Sequence, residues 1–214
     1  MKSSGLRRNL FNYSLLFVLA IVLIASAAPR AQQIEQPSKA GRLAFVLDQE
    51  KSHVHWTLGT TLHTVHGTFA LKPGIVKLAL GPKTASGEVA AYATSGESGN
   101  DSRDKKMHKD VLESDKFPDI IFRPDHFEGS VAAPGASSVQ LYGTFVLHGA
   151  KHELVVPMNA QLTADHWTAT GKFAIPFLQW GLKNPSNFLL KVEPTVNIEL
   201  QLEGKLEESS ASAN

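Results

Sequence analysis

Between about residues 43 and 206 the chain alternates apolar and polar positions with a period of two. Leu154, Val156, Met158, Ala160 and Leu162 share one parity; Val155, Pro157, Asn159, Gln161 and Thr163 share the other. Trp167, Ala169, Gly171, Phe173, Ile175 and Phe177 form a second apolar row, Val196, Ile198, Leu200 and Leu202 a third, and Leu141, Gly143, Phe145 and Leu147 a fourth. Successive side chains of a strand point to opposite faces, so each row predicts a strand with one apolar and one wetter face. Further strands are predicted over 43–47, 53–58, 62–71, 75–80, 86–94 and 119–128. Pro73-Gly74, Gly81-Pro82, Pro134-Gly135 and Gly149-Ala150 punctuate them as turns. About ten short strands with close connections predict an all-β, antiparallel fold.

A single segment breaks the pattern. Ser102 to Ser114 places Met107, Val111 and Leu112 at helical spacing among Lys, Asp and His. Asn100, Asp101 and Ser102 are all good helix caps, and Phe117-Pro118 stops the helix before the next strand. Periodicity alone leaves a sandwich and a closed barrel open, although only closure removes exposed strand edges. The inward row carries Trp56, Phe69, Phe145, Trp167 and Phe173. Such a row fills a solid core, or in a barrel of about eight strands encloses one apolar ligand.

Composition narrows the class. The chain has 214 residues, 43% hydrophobic and 19% charged, which suits a globular protein. Its formal charge is +1, with Lys and Arg dispersed, so no basic face for nucleic acid is expected. Cysteine is absent, which removes disulfides, thiol nucleophiles and thiolate metal sites.

The N-terminus has Lys2, Arg7 and Arg8, then an apolar stretch from Leu15 to Ile24, then Ala25-Ser26-Ala27-Ala28. That order predicts a signal peptide over residues 1–27, cut after Ala27, and export of the rest. An uncleaved anchor is the competing reading; after cleavage no membrane span is expected. Loss of the three cations takes Lys plus Arg from 21 to 18 against 20 Asp plus Glu, so the mature chain carries −2. Residues 28–42 read as a flexible linker, 43–206 as the domain and 207–214 as a disordered tail.

Catalytic signatures are missing. Gly96-Glu97-Ser98-Gly99 lacks the spacing of a nucleophile elbow, and His152-Glu153 has no second His at the metalloprotease position. No phosphate-binding or dinucleotide glycine motif occurs, and no enzyme is expected. His53, His55, His63 and His66 lie on a predicted hairpin and make metal or haem binding an alternative function. Parity puts His55 on the wet face, against that alternative. The run Gly96 to Asp104 is the most distinctive polar segment. It reads either as an anion pocket completed by Arg103, or as a capped loop in which Arg103 and Asp104 hold the barrel ends by ion pairs.

In this setting the ordered motifs resemble the YceI-like family of exported proteins. They are Val65-His66-Gly67-Thr68-Phe69; Gly99-Asn100 with Arg103-Asp104; Val111 to Pro118 followed by Ile120-Ile121-Phe122; Gly143 to Gly149 followed by Val155-Val156-Pro157; and Gln179-Trp180-Gly181-Leu182. Gly59 stands where many members have a histidine. The resemblance implies an eight-stranded antiparallel, lipocalin-like barrel with a capping helix, a long apolar cavity and a periplasmic location. It implies no cofactor, and a polyisoprenoid lipid or isoprenoid quinone as ligand. On that reading Trp56, Phe69, Phe145, Met158, Trp167 and Phe173 line the cavity, with a polar head near Asn100 and Arg103. A solid-cored, stress-linked interaction protein is the other alternative, and a homodimer is an open partner assignment.

Overall fold

The computed structural model describes residues 41–208. The predicted signal peptide, most of the linker, and residues 209–214 lie outside them. Ten strands are present: β1 (Arg42–Leu47), β2 (His53–Thr60), β3 (Thr64–Phe69), β4 (Ile75–Ala79), β5 (Thr84–Tyr92), β6 (Asp119–Ser130), β7 (Gly135–Leu147), β8 (Ala150–Leu162), β9 (His166–Ile175) and β10 (Val192–Glu208). β1 therefore starts one residue inside the predicted linker, and β10 reaches into the predicted tail.

The strands form one antiparallel sheet in the order β1-β4-β5-β6-β7-β8-β9-β10-β2-β3, with β1 also paired to β10. That last pairing closes a barrel. β1 and β2 lie end to end along the same edge of β10: Leu47 faces Gly204 and His53 faces Gln201. Asp48 to Ser52 is a short excursion between them. It is pinned at Glu203, whose N–H donates to Ser52 Oγ (3.0 Å) and whose carbonyl accepts from Asp48 N–H (2.9 Å). β3 and β4 form a second interrupted strand, paired to β2 and β1 respectively. Ten segments thus make the eight-stranded antiparallel barrel. The predicted 62–71 strand is shortened because Thr60 Oγ1 accepts the amides of Leu62 and His63 and so builds a turn there.

Each inward row obeys its period. Trp167, Ala169, Gly171 and Ile175 are buried while Thr168, Thr170 and Lys172 between them are exposed. The edge of Phe45 meets the Trp167 ring at 5.6 Å, and the Trp167 indole N–H donates to the Lys205 carbonyl (3.1 Å). The aromatic row is therefore fixed in orientation as well as buried.

Helix α1 (Asp101–Lys106) continues as a wider π-helical turn, Met107–Leu112. Its cap is Asn100, whose Oδ1 accepts Arg103 N–H at 3.0 Å. Glu113 adopts the left-handed conformation (φ 45°) and Ser114 N–H turns back to the His108 carbonyl (3.0 Å). The helix therefore ends at Leu112, before the Phe117-Pro118 stop predicted for it. Among the described residues no helix is long and apolar enough to cross a membrane.

The two ends of the barrel differ. One has the short turns 80–83, 131–134 and 163–165; the other has the β2–β3 turn, the β7–β8 turn and two long connections, 93–118 and 176–191. Among the described residues the long irregular connections that can shape a mouth are at that second end.

Candidate functional site

The inward rows leave space along the barrel axis, a cavity of about 540 Å³. That volume lies within the ~300–1,000 Å³ of small-molecule sites. Trp56, Phe69, Phe145, Met158, Trp167 and Phe173 all line it, as do Asn100 and Arg103. Aliphatic side chains complete the wall, among them Val156, Ile198, Leu200 and Leu202. At the lower end the lining includes Leu162, which is 1% exposed, with Leu78 and Ser137.

Polar lining gathers at the upper end. Thr60 and His63 come from the β2–β3 turn, Asn100, Arg103 and Lys106 from α1, and Pro185 and Asn187 from the β9–β10 connection. Lys106 Nζ donates to the Pro185 carbonyl at 3.0 Å and Lys183 pairs with Asp110 at 3.5 Å. These contacts tie the helix to the connection across the mouth. Phe177 and Leu182 are buried and line the cavity beneath it. Trp180 stacks on His152, with ring centroids 4.0 Å apart and planes within 4°.

The polar run before the helix is held through Ser98. Its hydroxyl donates to Asp104 Oδ1 and its N–H to Asp104 Oδ2 (3.1 Å). Arg103 Nε donates to the same hydroxyl oxygen (2.7 Å) and its Nη2 to the Ser98 carbonyl (3.1 Å). Arg103 and Asp104 thus fasten the loop by converging on Ser98, not by ion pairs to the barrel ends. Burial pushes the Asp104 carboxyl up, but the Ser98 hydroxyl and amide, with Arg103 beyond them, hold it below the usual carboxylate range. Three of the five Arg103 N–H groups remain outside these bonds.

His108 fixes the helix from the other side. Its Nε2 lies 2.8 Å from the Gly96 carbonyl and its Nδ1 2.9 Å from Ser114 Oγ. A carbonyl only accepts, so Nε2 donates to Gly96, while Ser114 Oγ stands between Nδ1 and the Ala93 carbonyl, to which it donates at 3.3 Å. At the helix end, Lys116 first and His148 second hold Glu113 below the usual carboxylate range; each lies 2.6 Å from one carboxylate oxygen.

The histidines of the β2–β3 hairpin do not converge. His53, His55 and His66 are exposed, His66 Nδ1 lies 3.2 Å from Thr57 Oγ1, and His63 stands at the cavity rim. Among the described residues no group of three His, Cys, Asp or Glu side chains is arranged to hold a metal ion.

A family model described as YceI-like domain matches residues 45–204. The chain belongs to the YceI-like family. No curated protein matches it. Solved structures do. BcnA from Burkholderia cenocepacia superposes with a TM-score of 0.61 at 16% identity, covering 74% of this chain and 99% of that one. A polyisoprenoid binding domain from Saccharophagus degradans, implicated in plant cell wall breakdown, gives 0.59 at 16% identity, covering 77% and 99%. The Campylobacter jejuni YCEI protein gives 0.56 at 14% identity, covering 68% and 86%. At these identities the likeness is one of fold.

This YceI-like barrel also has rim residues that periodicity did not reveal. Lys106, Pro185, Asn187 and Leu190 belong to no alternating row. The available signal was an anomaly, the apolar run Phe188-Leu189-Leu190 inside a connection otherwise rich in turn residues.

Proposed function

We propose that the protein is an exported, non-catalytic carrier that holds a long apolar lipid of isoprenoid type, such as a polyisoprenoid or an isoprenoid quinone, in its barrel. The observation that carries this reading is the 540 Å³ cavity walled by apolar side chains on strand after strand, with most of its polar lining gathered at one end. Each buried CH₂ contributes about 0.8 kcal/mol. Association itself costs about 4–15 kcal/mol. Such a wall therefore holds a long chain and releases a short one. The structural neighbour from S. degradans, a polyisoprenoid binding domain, supports the same class.

In this reading Trp56, Phe69, Phe145, Met158, Trp167 and Phe173 contact the chain. The polar head lies at the mouth beside Asn100 and the unused N–H groups of Arg103. The signal-peptide pattern at residues 1–27 supports delivery to the periplasm. The lack of a nucleophile, base or metal constellation in the sequence supports carriage over catalysis. The test is organic extraction of the purified protein followed by lipid mass spectrometry. A stoichiometric isoprenoid lipid is expected; a barrel that is consistently free of lipid and takes up no apolar probe overturns the reading.

A further inference from the structure

The three most exposed large apolar side chains of the described residues are Phe188 (94%), Leu189 (80%) and Leu62 (73%). All three stand at the upper end of the barrel, where the mouth is. The other exposed large apolar residues, Ile75, Tyr92 and Val155, lie on separate strands and are each less than half exposed. Single exposed residues need no explanation, whereas a cluster rimmed by polar groups marks an interaction surface.

The cluster is built. Asn187 Oδ1 accepts the amides of Leu189 (2.9 Å) and Leu190 (2.8 Å), and Asn187 N–H donates to the Leu190 carbonyl (2.9 Å). Ser186 Oγ accepts Val192 N–H at 2.9 Å. Phe188 and Leu189 are thus presented at the tip of a closed turn. Leu62 is held next to it, because Thr61 N–H donates to the Lys191 carbonyl (3.0 Å) and Lys191 N–H to Thr61 Oγ1 (3.3 Å). The tip adjoins the mouth: Leu190, adjacent in the same turn, lines the cavity, as does His63 beside Leu62. Lysines bracket the tip in sequence, Lys183, which pairs with Asp110 at 3.5 Å, on one side and Lys191 on the other, with no acidic residue between them. Aromatic and aliphatic side chains flanked by lysine are the pattern that inserts below anionic headgroups while the ammonium groups stay among them.

We propose that Leu62, Phe188 and Leu189 form a membrane-docking wedge that seats the open end of the barrel on an anionic phospholipid bilayer. An apolar ligand then passes between bilayer and cavity without crossing water. The docking step rests on the surface; the transfer step rests on the carrier reading above.

The test uses the mature protein and vesicles of phosphatidylethanolamine with phosphatidylglycerol. Flotation measures docking, transfer of a fluorescent prenyl probe between vesicles measures exchange, and uptake of the same probe from cyclodextrin measures cavity binding without a membrane. A Leu62→Ser/Phe188→Ser/Leu189→Ser variant, with its thermal midpoint checked against wild type, is expected to lose at least about tenfold in vesicle binding and in transfer rate. Its uptake from cyclodextrin is expected to be unchanged. Lys191→Gln is expected to weaken flotation and reduce its sensitivity to salt. Equal flotation of wild type and the triple variant, with uptake intact, overturns the wedge and leaves the carrier reading standing. A wild type that floats but takes up no probe overturns the carrier reading and leaves the docking surface standing. A concentration-dependent dimer abolished by the triple substitution assigns the tip to a second copy and overturns the bilayer as its partner.

Discussion

Trp56 on β2 stands directly across from Gly67 on β3, and its indole lies where a side chain at position 67 would have to go. A Cβ there would also collide with the Glu97 carbonyl, which accepts Thr68 N–H and joins the 93–118 connection to the barrel. The glycine is required by space on both sides. Gly67→Ala is therefore expected to cost about 1–3 kcal/mol, the usual range for overpacking a closed site. Urea denaturation followed by tryptophan emission checks it: the midpoint falls, and the native emission changes as the indole shifts.

His108 predicts a loss of a different kind. Replacing it by Phe keeps a ring of similar size but strands the buried Gly96 carbonyl and leaves the Ser114 hydroxyl, 2% exposed, only its bond to the Ala93 carbonyl. Each stranded buried group costs about 1–3 kcal/mol. His108→Phe is expected to speed amide exchange in the 93–118 connection far more than in the β7–β8 hairpin, measured by hydrogen exchange with mass spectrometry. Exchange that rises equally in both would refute a local role.

Residues with regular side-chain periods were legible in the sequence, and those without were not. Met158 and Trp167 announce their inward direction through neighbours two positions away, and both do line the cavity. Closure was not legible from period, because a sandwich and a barrel share the same alternation; it depends on β10 being long enough to pair β1 and β2 along one edge. Asn100 was visible as one of three cap candidates, but choosing it over Asp101 or Ser102 needed the backbone turn that sends Arg103 N–H to its side chain. Lys106 reads as one more solvated helix residue, and only its bond to the Pro185 carbonyl reveals that it spans the mouth.

Acid should loosen the mouth before it opens the barrel. The folded-state values of Asp104 and Glu113 are both depressed. A depressed carboxylate contributes stability above its unfolded pKa, about 3.9 for Asp and 4.3 for Glu. That contribution is lost as pH falls through the folded value. Amide protection across 98–116 is therefore expected to decline below about pH 4 while the β7–β8 ladder stays protected. Asp104→Asn should lower protection at neutral pH and flatten the decline, whereas Asp101→Asn, at an exposed position, should leave the profile unchanged. An identical profile for wild type and Asp104→Asn would sink the assignment.

Filling the cavity from within separates a hollow barrel from one that merely tolerates voids. Ala169 is buried, faces Ala160 on β8 and Leu202 on β10, and lines the cavity. In a solid core Ala169→Phe would be overpacked and would cost about 1–3 kcal/mol. In the observed barrel the added ring enters open space and gains apolar burial, so the thermal midpoint is expected to hold or rise. The same ring occupies volume that a lipid chain needs. Binding of a fluorescent apolar probe is expected to weaken at least about tenfold, the equivalent of 1.4 kcal/mol. Thr170→Val, one position along and outward-facing, supplies the control, with binding unchanged. A variant that keeps full affinity would place the ligand outside the barrel, and one that unfolds would show the space beside Ala169 to be already taken.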